Sequence, residues 1–173
     1  MSDESPVSLA CAVLTVSDTR SAGDDTSGNL LAQNLARAGH QCVRRDIVKH
    51  DLYQIRRILS EWIADPEVQV IITTGGTGFA PRDQTQKAVL PLLDHDVPGF
   101  GELFRQLSHA DIGSSAIQSG AFAGSANRTL IFCLPGSNNA CETAWEQILR
   151  EQLDSRHRPC NFATQFKNRE EDN

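Results

Sequence analysis

The sequence predicts an α/β fold: a single domain with a mostly parallel sheet and helices on both faces. Three observations carry that prediction. Residues 9–16 and 129–134 are continuously apolar, as central strands covered on both sides must be. Apolar residues in the intervening segments recur at helical spacing, so strands and helices alternate along the chain. The 173 residues, 39% of them apolar, suffice for one core of ordinary size.

The elements follow in order. Strand 9–16 ends in Ser17 and Asp18, followed by a loop. Asp24, Asp25, Thr26 and Ser27 offer N-caps for a helix reaching Ala38, with Leu30, Leu31 and Leu35 on one side and Gly39 as its stop. Residues 41–48 form a strand with polar residues in it, which suits a sheet edge. His50 or Asp51 caps a helix whose Leu52, Ile55, Ile58, Leu59, Trp62 and Ile63 share one face. Residues 68–72 read as a buried strand, and 86–90 as a helix that weakens at Pro91. Residues 97–102 read as a second glycine-containing turn, with Leu103, Phe104 and Leu107 on the helix after it. Residues 112–124 are rich in Ser, Gly and Ala and read as a small helix and a short strand. The small side chains of 113–126 also suit a close-packed interface between copies. Strand 129–134 leads into Pro135, Gly136, Ser137 and Asn138, with Ser137 or Asn138 capping a helix that carries Ala144, Trp145, Ile148 and Leu149. Residues 1–8 form a polar arm, 9–155 the domain and 156–173 a tail, in which 167–173 reads as disordered.

The chemistry concentrates between residues 73 and 85. Thr74, Gly75, Gly76, Thr77 and Gly78 follow a strand and precede a helix, an arrangement in which backbone N–H groups converge on an anion. Glycines let a phosphate approach because no Cβ stands in the way. Neither G-x-G-x-x-G nor G-x-x-x-x-G-K-[ST] occurs, which removes the dinucleotide fingerprint and the Walker loop. Arg82 can meet a phosphate, and Asp83 can hold Mg²⁺ through oxygen. Asp83 with Gln86 three residues on also fits a capping box. The second strand–glycine–helix unit, at Pro135, Gly136 and Ser137, reads either as an ordinary loop or as a second anion cradle. In parallel sheets ligands sit at the carboxyl ends of strands, so the loops at Ser17, Gly75 and Gly136 share one edge.

Composition narrows the classes. A net charge of −6 argues against a nucleic-acid surface. Five cysteines without a C-x-x-C suggest neither a disulfide framework nor a zinc site. No apolar run approaches 18 residues and no signal-peptide pattern opens the chain, so a cytoplasmic protein without a membrane partner is expected. A phosphorylated receiver domain needs an aspartate where Thr73 and Thr74 stand. A flavin site lacks aromatics in the first loop.

The residues 73–78 with Arg82 to Thr85, then Pro98-Gly99-Phe100-Gly101-Glu102, then Leu134-Pro135-Gly136-Ser137, resemble the MoaB/Mog family of molybdenum cofactor biosynthesis proteins, closest to its MoaB branch. The likeness runs over residues 9–162. It implies a molybdopterin-binding α/β domain, assembled as a homotrimer or homohexamer. Active members take molybdopterin and MgATP, adenylylate the terminal phosphate of molybdopterin and release pyrophosphate. The product passes to a later-step molybdenum-insertion protein. The resemblance places Asp83 at Mg²⁺ or the nucleotide and Ser17 and Asp18 near the ligand. Glu102 comes with its motif, as a ligand residue or a structural one. Active members also carry an aspartate in a segment that here reads Val48-Lys49-His50-Asp51. That position falls on His50. Asp51 can substitute only if the backbone shifts, since one helical residue turns a side chain by about 100°. Two readings follow: a molybdopterin adenylyltransferase, with His50, Asp51 and Asp83 as its catalytic candidates, or a non-catalytic molybdopterin carrier or scaffold.

Overall fold

The computed structural model describes residues 4–170. Its element order is β1 (Ala10–Val16), α1 (Thr26–Arg37), β2 (Gln41–Val48), α2 (Leu52–Ala64), β3 (Val70–Thr74), α3 (Thr85–Val89), β4 (His95–Asp96), α4 (Pro98–Ile112), β5 (Phe122–Ala126), β6 (Thr129–Leu134) and α5 (Asn138–Ala144). The chain then passes through a π turn, Trp145–Leu149, into a last α turn, Arg150–Gln152 (α6). One six-stranded sheet has the order β2-β1-β3-β6-β5-β4. The first four strands are mutually parallel, and β5 and β4 add antiparallel at one edge. β2 holds the other edge, as its polar residues predict. Among the described residues no helix is long and apolar enough to cross a membrane.

The sheet separates two cores. On one face Leu31 and Leu35 of α1, Phe100 and Phe104 of α4, and Trp145, Ile148 and Leu149 pack on Cys11, Val13, Ile72 and Phe132. On the other, Ile55, Ile58, Leu59 and Trp62 of α2 and Ala88 and Val89 of α3 pack on Leu14, Ile71, Ile131 and Cys133. Strands buried on both faces are mostly apolar, with β-branched threonines at a few buried positions, which is why β1, β3 and β6 read as near-continuous apolar runs. Asp25 caps α1 by accepting from Gly28 N, and Asp51 caps α2 by accepting from Tyr53 and Gln54 N.

Four boundaries differ from the sequence reading. β3 runs two residues later than 68–72, because Thr73 and Thr74 are buried and pair with Cys133 and Leu134. Residues 97–102 hold no turn; α4 starts at Pro98, whose missing N–H costs nothing in a first helical turn. Asp83 makes no capping box, since α3 begins at Thr85 after Gln84 with no side-chain cap. Residues 167–170 of the tail, read as disordered, have regular backbone. Residues Ala163–Glu170 form 3₁₀ turns, with Phe166 buried and Lys167 Nζ 2.7 Å from Glu4 Oε2. Residues 171–173, and residues 1–3 of the arm, lie outside the described residues.

Candidate functional site

A cleft of about 530 Å³ lies at the carboxyl ends of β1, β3 and β6. Ser17, His50, Thr74, Gly75, Gly76, Thr77, Gly78, Arg82, Asp83, Pro135, Gly136 and Ser137 all line it, so most of the candidate residues meet in one place. The parallel order β1-β3-β6 brings the three loops together; nothing local to any one loop does.

The first glycine loop is held at both ends. Gly75 N donates to Leu134 O at 3.0 Å, and the Thr85 hydroxyl donates back to Gly75 O at 2.8 Å. Gly75 and Gly76 have φ of +102° and +73°. A Cβ on Gly75 would sit 2.2 Å from the Val16 carbonyl oxygen, and one on Gly76 2.2 Å from Thr85 Oγ1. The N–H groups of Gly76, Thr77 and Gly78 have no protein acceptor among the described residues. α3 is only one and a half turns long, so this cradle rests on loop N–H groups more than on a helix dipole.

Asp83 folds the end of the loop on itself: its Oδ2 accepts from Ala80 N at 3.0 Å. A Cβ on Gly78 would sit 2.7 Å from that oxygen, so the third glycine makes room for the carboxylate. Asp83 Oδ1 has no hydrogen-bond partner among the described residues. Arg82 is exposed beside it. Asp83 is the only carboxylate these glycine loops bring to the cleft, and no cluster of three or more metal-ligating side chains occurs among the described residues. That suits Mg²⁺ carried by substrate phosphates, which needs one or two protein carboxylates and fills its other positions with phosphate oxygens and water.

The second loop packs against the first. Thr74 Oγ1 donates to Pro135 O at 2.9 Å, and a Cβ on Gly136 would come within 3.3 Å of Gly75 Cα. Ser137 caps α5 by accepting from Ala140 N at 3.1 Å. Cys141 lies beneath, with its sulfur 3.2 Å from Thr74 Oγ1, and burial pushes its thiol pKa up.

Three candidates do not line the cleft. Asp51 turns its carboxylate to its own helix, 3.0 Å from Tyr53 N and 2.9 Å from Gln54 N. Asp18 Oδ1 accepts from His50 N at 3.0 Å, which ties the loop after β1 to the loop after β2 but leaves Asp18 outside the wall. Glu102 sits just past the first turn of α4, beside a separate hollow with Asp96 and Arg105. His50, by contrast, lines the cleft, and its buried Nδ1 has no hydrogen-bond partner among the described residues.

The sequence reading missed the opposite wall. Ser108, Asp111, Ser115, Gln118 and Ser119 come from the end of α4 and the 3₁₀ turn Gly113–Gln118. Thr15 and Arg20 were missed as well. Ser17 Oγ accepts from Arg20 N at 3.1 Å and so folds the first loop back. A serine directly after an apolar strand gives no warning of this, and residues 108–119 carry no motif at all.

The fold and this two-loop cleft define a single-domain α/β protein of the molybdopterin-binding kind. Residues 12–155 match the family model described as "Probable molybdopterin binding domain". The chain is 54% identical over 156 residues to Molybdenum cofactor biosynthesis protein B of Escherichia coli K12, covering 90% of this chain and 92% of that protein. Its identity to the protein of the same name from Staphylococcus carnosus is 46%, covering 84% and 87%. A crystal structure of Molybdenum cofactor biosynthesis protein B superposes with a TM-score of 0.84 at 40% identity, covering 87% of this chain and 94% of that one. The tungsten cofactor synthesizing protein MoaB from Pyrococcus furiosus gives 0.76 at 35% identity, covering 83% and 92%. The chain belongs to the MoaB/Mog family of molybdenum cofactor biosynthesis proteins.

Proposed function

We propose that this protein binds molybdopterin in the cleft and adenylylates its terminal phosphate with ATP. The observation that carries the reading is the joined pair of glycine loops, one with three free N–H groups, linked through Thr74 and Pro135. Two anion cradles in one wall fit two phosphorylated substrates held side by side. In the reaction an oxygen of the molybdopterin phosphate attacks the α-phosphorus of ATP. A new phosphoanhydride bond forms, the α–β anhydride bond breaks, and pyrophosphate leaves with the electron pair. Positioning and charge neutralisation supply most of the catalysis in such transfers. Asp83 would hold Mg²⁺, which when bound neutralises the triphosphate. The free N–H groups of Gly76, Thr77 and Gly78 would orient phosphate oxygens, and Arg82 would add a cation at the loop's end.

The test is turnover. Protein, molybdopterin, ATP and Mg²⁺ are mixed and adenylyl-molybdopterin is sought by chromatography. Product that disappears in Asp83→Asn supports the reading; no product from folded protein overturns it.

His50 favours a second reading, a molybdopterin carrier or scaffold of the same pathway. It stands where the resemblance places an aspartate, and Asp51 beside it is committed to capping α2. Molybdopterin binding without product, together with product from His50→Asp, selects this reading. Assembly into trimers or hexamers belongs to both. Ile112 and Ile117, 51% and 83% exposed next to the cleft, give such an assembly apolar surface to cover.

A further inference from the structure

Asp25 carries more than a helix cap requires. Its side chain is fully buried. Thr15 Oγ1 donates to it at 2.7 Å, Gly28 N at 3.0 Å and Arg45 Nη2 at 3.1 Å, while Arg20 Nη1 lies 3.7 Å away. An asparagine or serine caps a helix as well as an aspartate does, without the cost of burying a charge. Gly28 is committed to this carboxylate too, since a Cβ there would sit 2.1 Å from Asp25 Oδ2. Both arginines reach Asp25 from the surface side, with side chains 29% and 33% exposed. Their duties differ. Arg45 projects from the edge strand β2 and does not line the cleft, so it serves Asp25 rather than a ligand there.

Arg20 does line the cleft. Its Nη1 is clamped, donating to Thr26 Oγ1 at 3.2 Å and Ser27 Oγ at 3.1 Å beside Asp25. Its Nη2 and Nε have no protein acceptor among the described residues. Ser27 Oγ lies 2.6 Å from Asn138 Oδ1 and 3.1 Å from Gly136 O, so the clamp and the second glycine loop share one frame. A guanidinium held by one nitrogen with the rest of its fork free is pre-organised for a bidentate oxyanion.

We infer that Arg20 binds a phosphate of the cleft's ligand and that buried Asp25 is the positioning residue that aims it. The inference rests on the phosphate-ligand reading of the cleft and not on the transfer reaction. It adds a cation from the first loop to the N–H groups of the two glycine loops. Asp25 touches no ligand and acts only through Arg20.

The experiment is calorimetric titration of the full chain with inorganic pyrophosphate, using wild type, Arg20→Gln, Asp25→Asn, their double variant, and Thr26→Val. Loss of one charge-assisted hydrogen bond predicts about tenfold weaker binding for Arg20→Gln. Asp25→Asn should lose a similar factor, and the double variant no more than Arg20→Gln alone, because both remove one interaction. A merely structural role for Asp25 would instead multiply with the loss at Arg20. Thr26 is exposed, so Thr26→Val folds even if Asp25→Asn does not. It should weaken pyrophosphate binding in the wild type and not in Arg20→Gln. Wild-type affinity in Arg20→Gln, multiplying losses, an inert Thr26→Val, or no pyrophosphate binding by the wild type each overturns the inference. Pyrophosphate binding that follows this pattern in a protein without adenylylation upholds it while removing the transfer reading.

Discussion

The hydroxyl of Thr74 donates to the carbonyl of Pro135 at 2.9 Å, joining the last residue of β3 to the first residue after β6. Both glycine loops begin there, so one side chain sets their separation. Thr74→Val keeps the shape and removes the bond, leaving Pro135 O only the thiol of Cys141 at 3.6 Å. The expected cost is about 1 kcal/mol in urea unfolding. Pyrophosphate affinity should fall as well, because the loops are no longer fixed to each other. Unchanged affinity with lowered stability would mean that backbone bonds alone hold the loops.

Gly75→Ala should be far more damaging than an ordinary loop substitution. The φ of +102° strains any side chain, and the new Cβ would meet the backbone of Val16, which cannot rotate away. Roughly 2 kcal/mol or more is expected from strain and clash together. Gly23→Ala is the control, with nothing within 4 Å of the new Cβ, and should stay within about 0.5 kcal/mol of wild type. Parallel thermal melts compare the two, and equal midpoints would contradict this account of the loop.

His40 makes stability fall in mild acid. Burial pushes its pKa below the ordinary 6.5, with the Asp154 carboxylate partly opposing, and its Nδ1 accepts from Leu9 N at 3.1 Å. The unfolded chain therefore takes up the proton first as pH drops. Stability contributed by neutral His40 is complete above 6.5, declines as pH falls through the lowered folded value, and changes no further below it. Unfolding free energies measured between pH 8 and 5 should show this slope, and His40→Gln should flatten it. An identical slope in the variant would assign the effect elsewhere.

Thiol reactivity should divide two to three. Cys42 and Cys160 are exposed, while Cys11, Cys133 and Cys141 are buried. Burial pushes Cys133 up to about 12 and raises Cys11 and Cys141 as well. Thiolate is the reactive form. A maleimide should label two thiols quickly in native protein and the remaining three only in denaturant. Fast native labelling of Cys141 would show that the Pro135 loop opens.

Strands β1, β2, β3 and β6 and both glycine loops were legible in sequence because each depends on local chemistry, whereas the two-residue β4 gives no signal of its own. A central strand is mostly apolar, and the positive φ of Gly75 and Gly76 favours glycine. Thr73 and Thr74 were read as loop because they are polar, yet β-branched hydroxyl residues fit a buried strand once neighbouring strands cover them. Asp83 was legible as a candidate but not in its geometry, since sequence spacing favours a cap and the folded loop gives it to Ala80 N instead. Asp25 was legible only as a cap.

The sequence by itself determined the alternation of strands and helices and the positions of the two glycine loops, and it narrowed the caps to residues 24–27 and to His50 or Asp51. Only the tertiary structure decided which side chains face the cleft. His50 enters and Asp51 does not, although they are neighbours. Arg20 enters because Ser17, Thr26, Ser27 and Asp25 fold it there. Ser108, Asp111, Ser115, Gln118 and Ser119 line the same cleft as the glycine loops. The physical reason is that periodicity and turn chemistry act over a few residues, whereas the cleft is made by the order β1-β3-β6, whose loops lie some sixty residues apart along the chain and touch only when the sheet assembles.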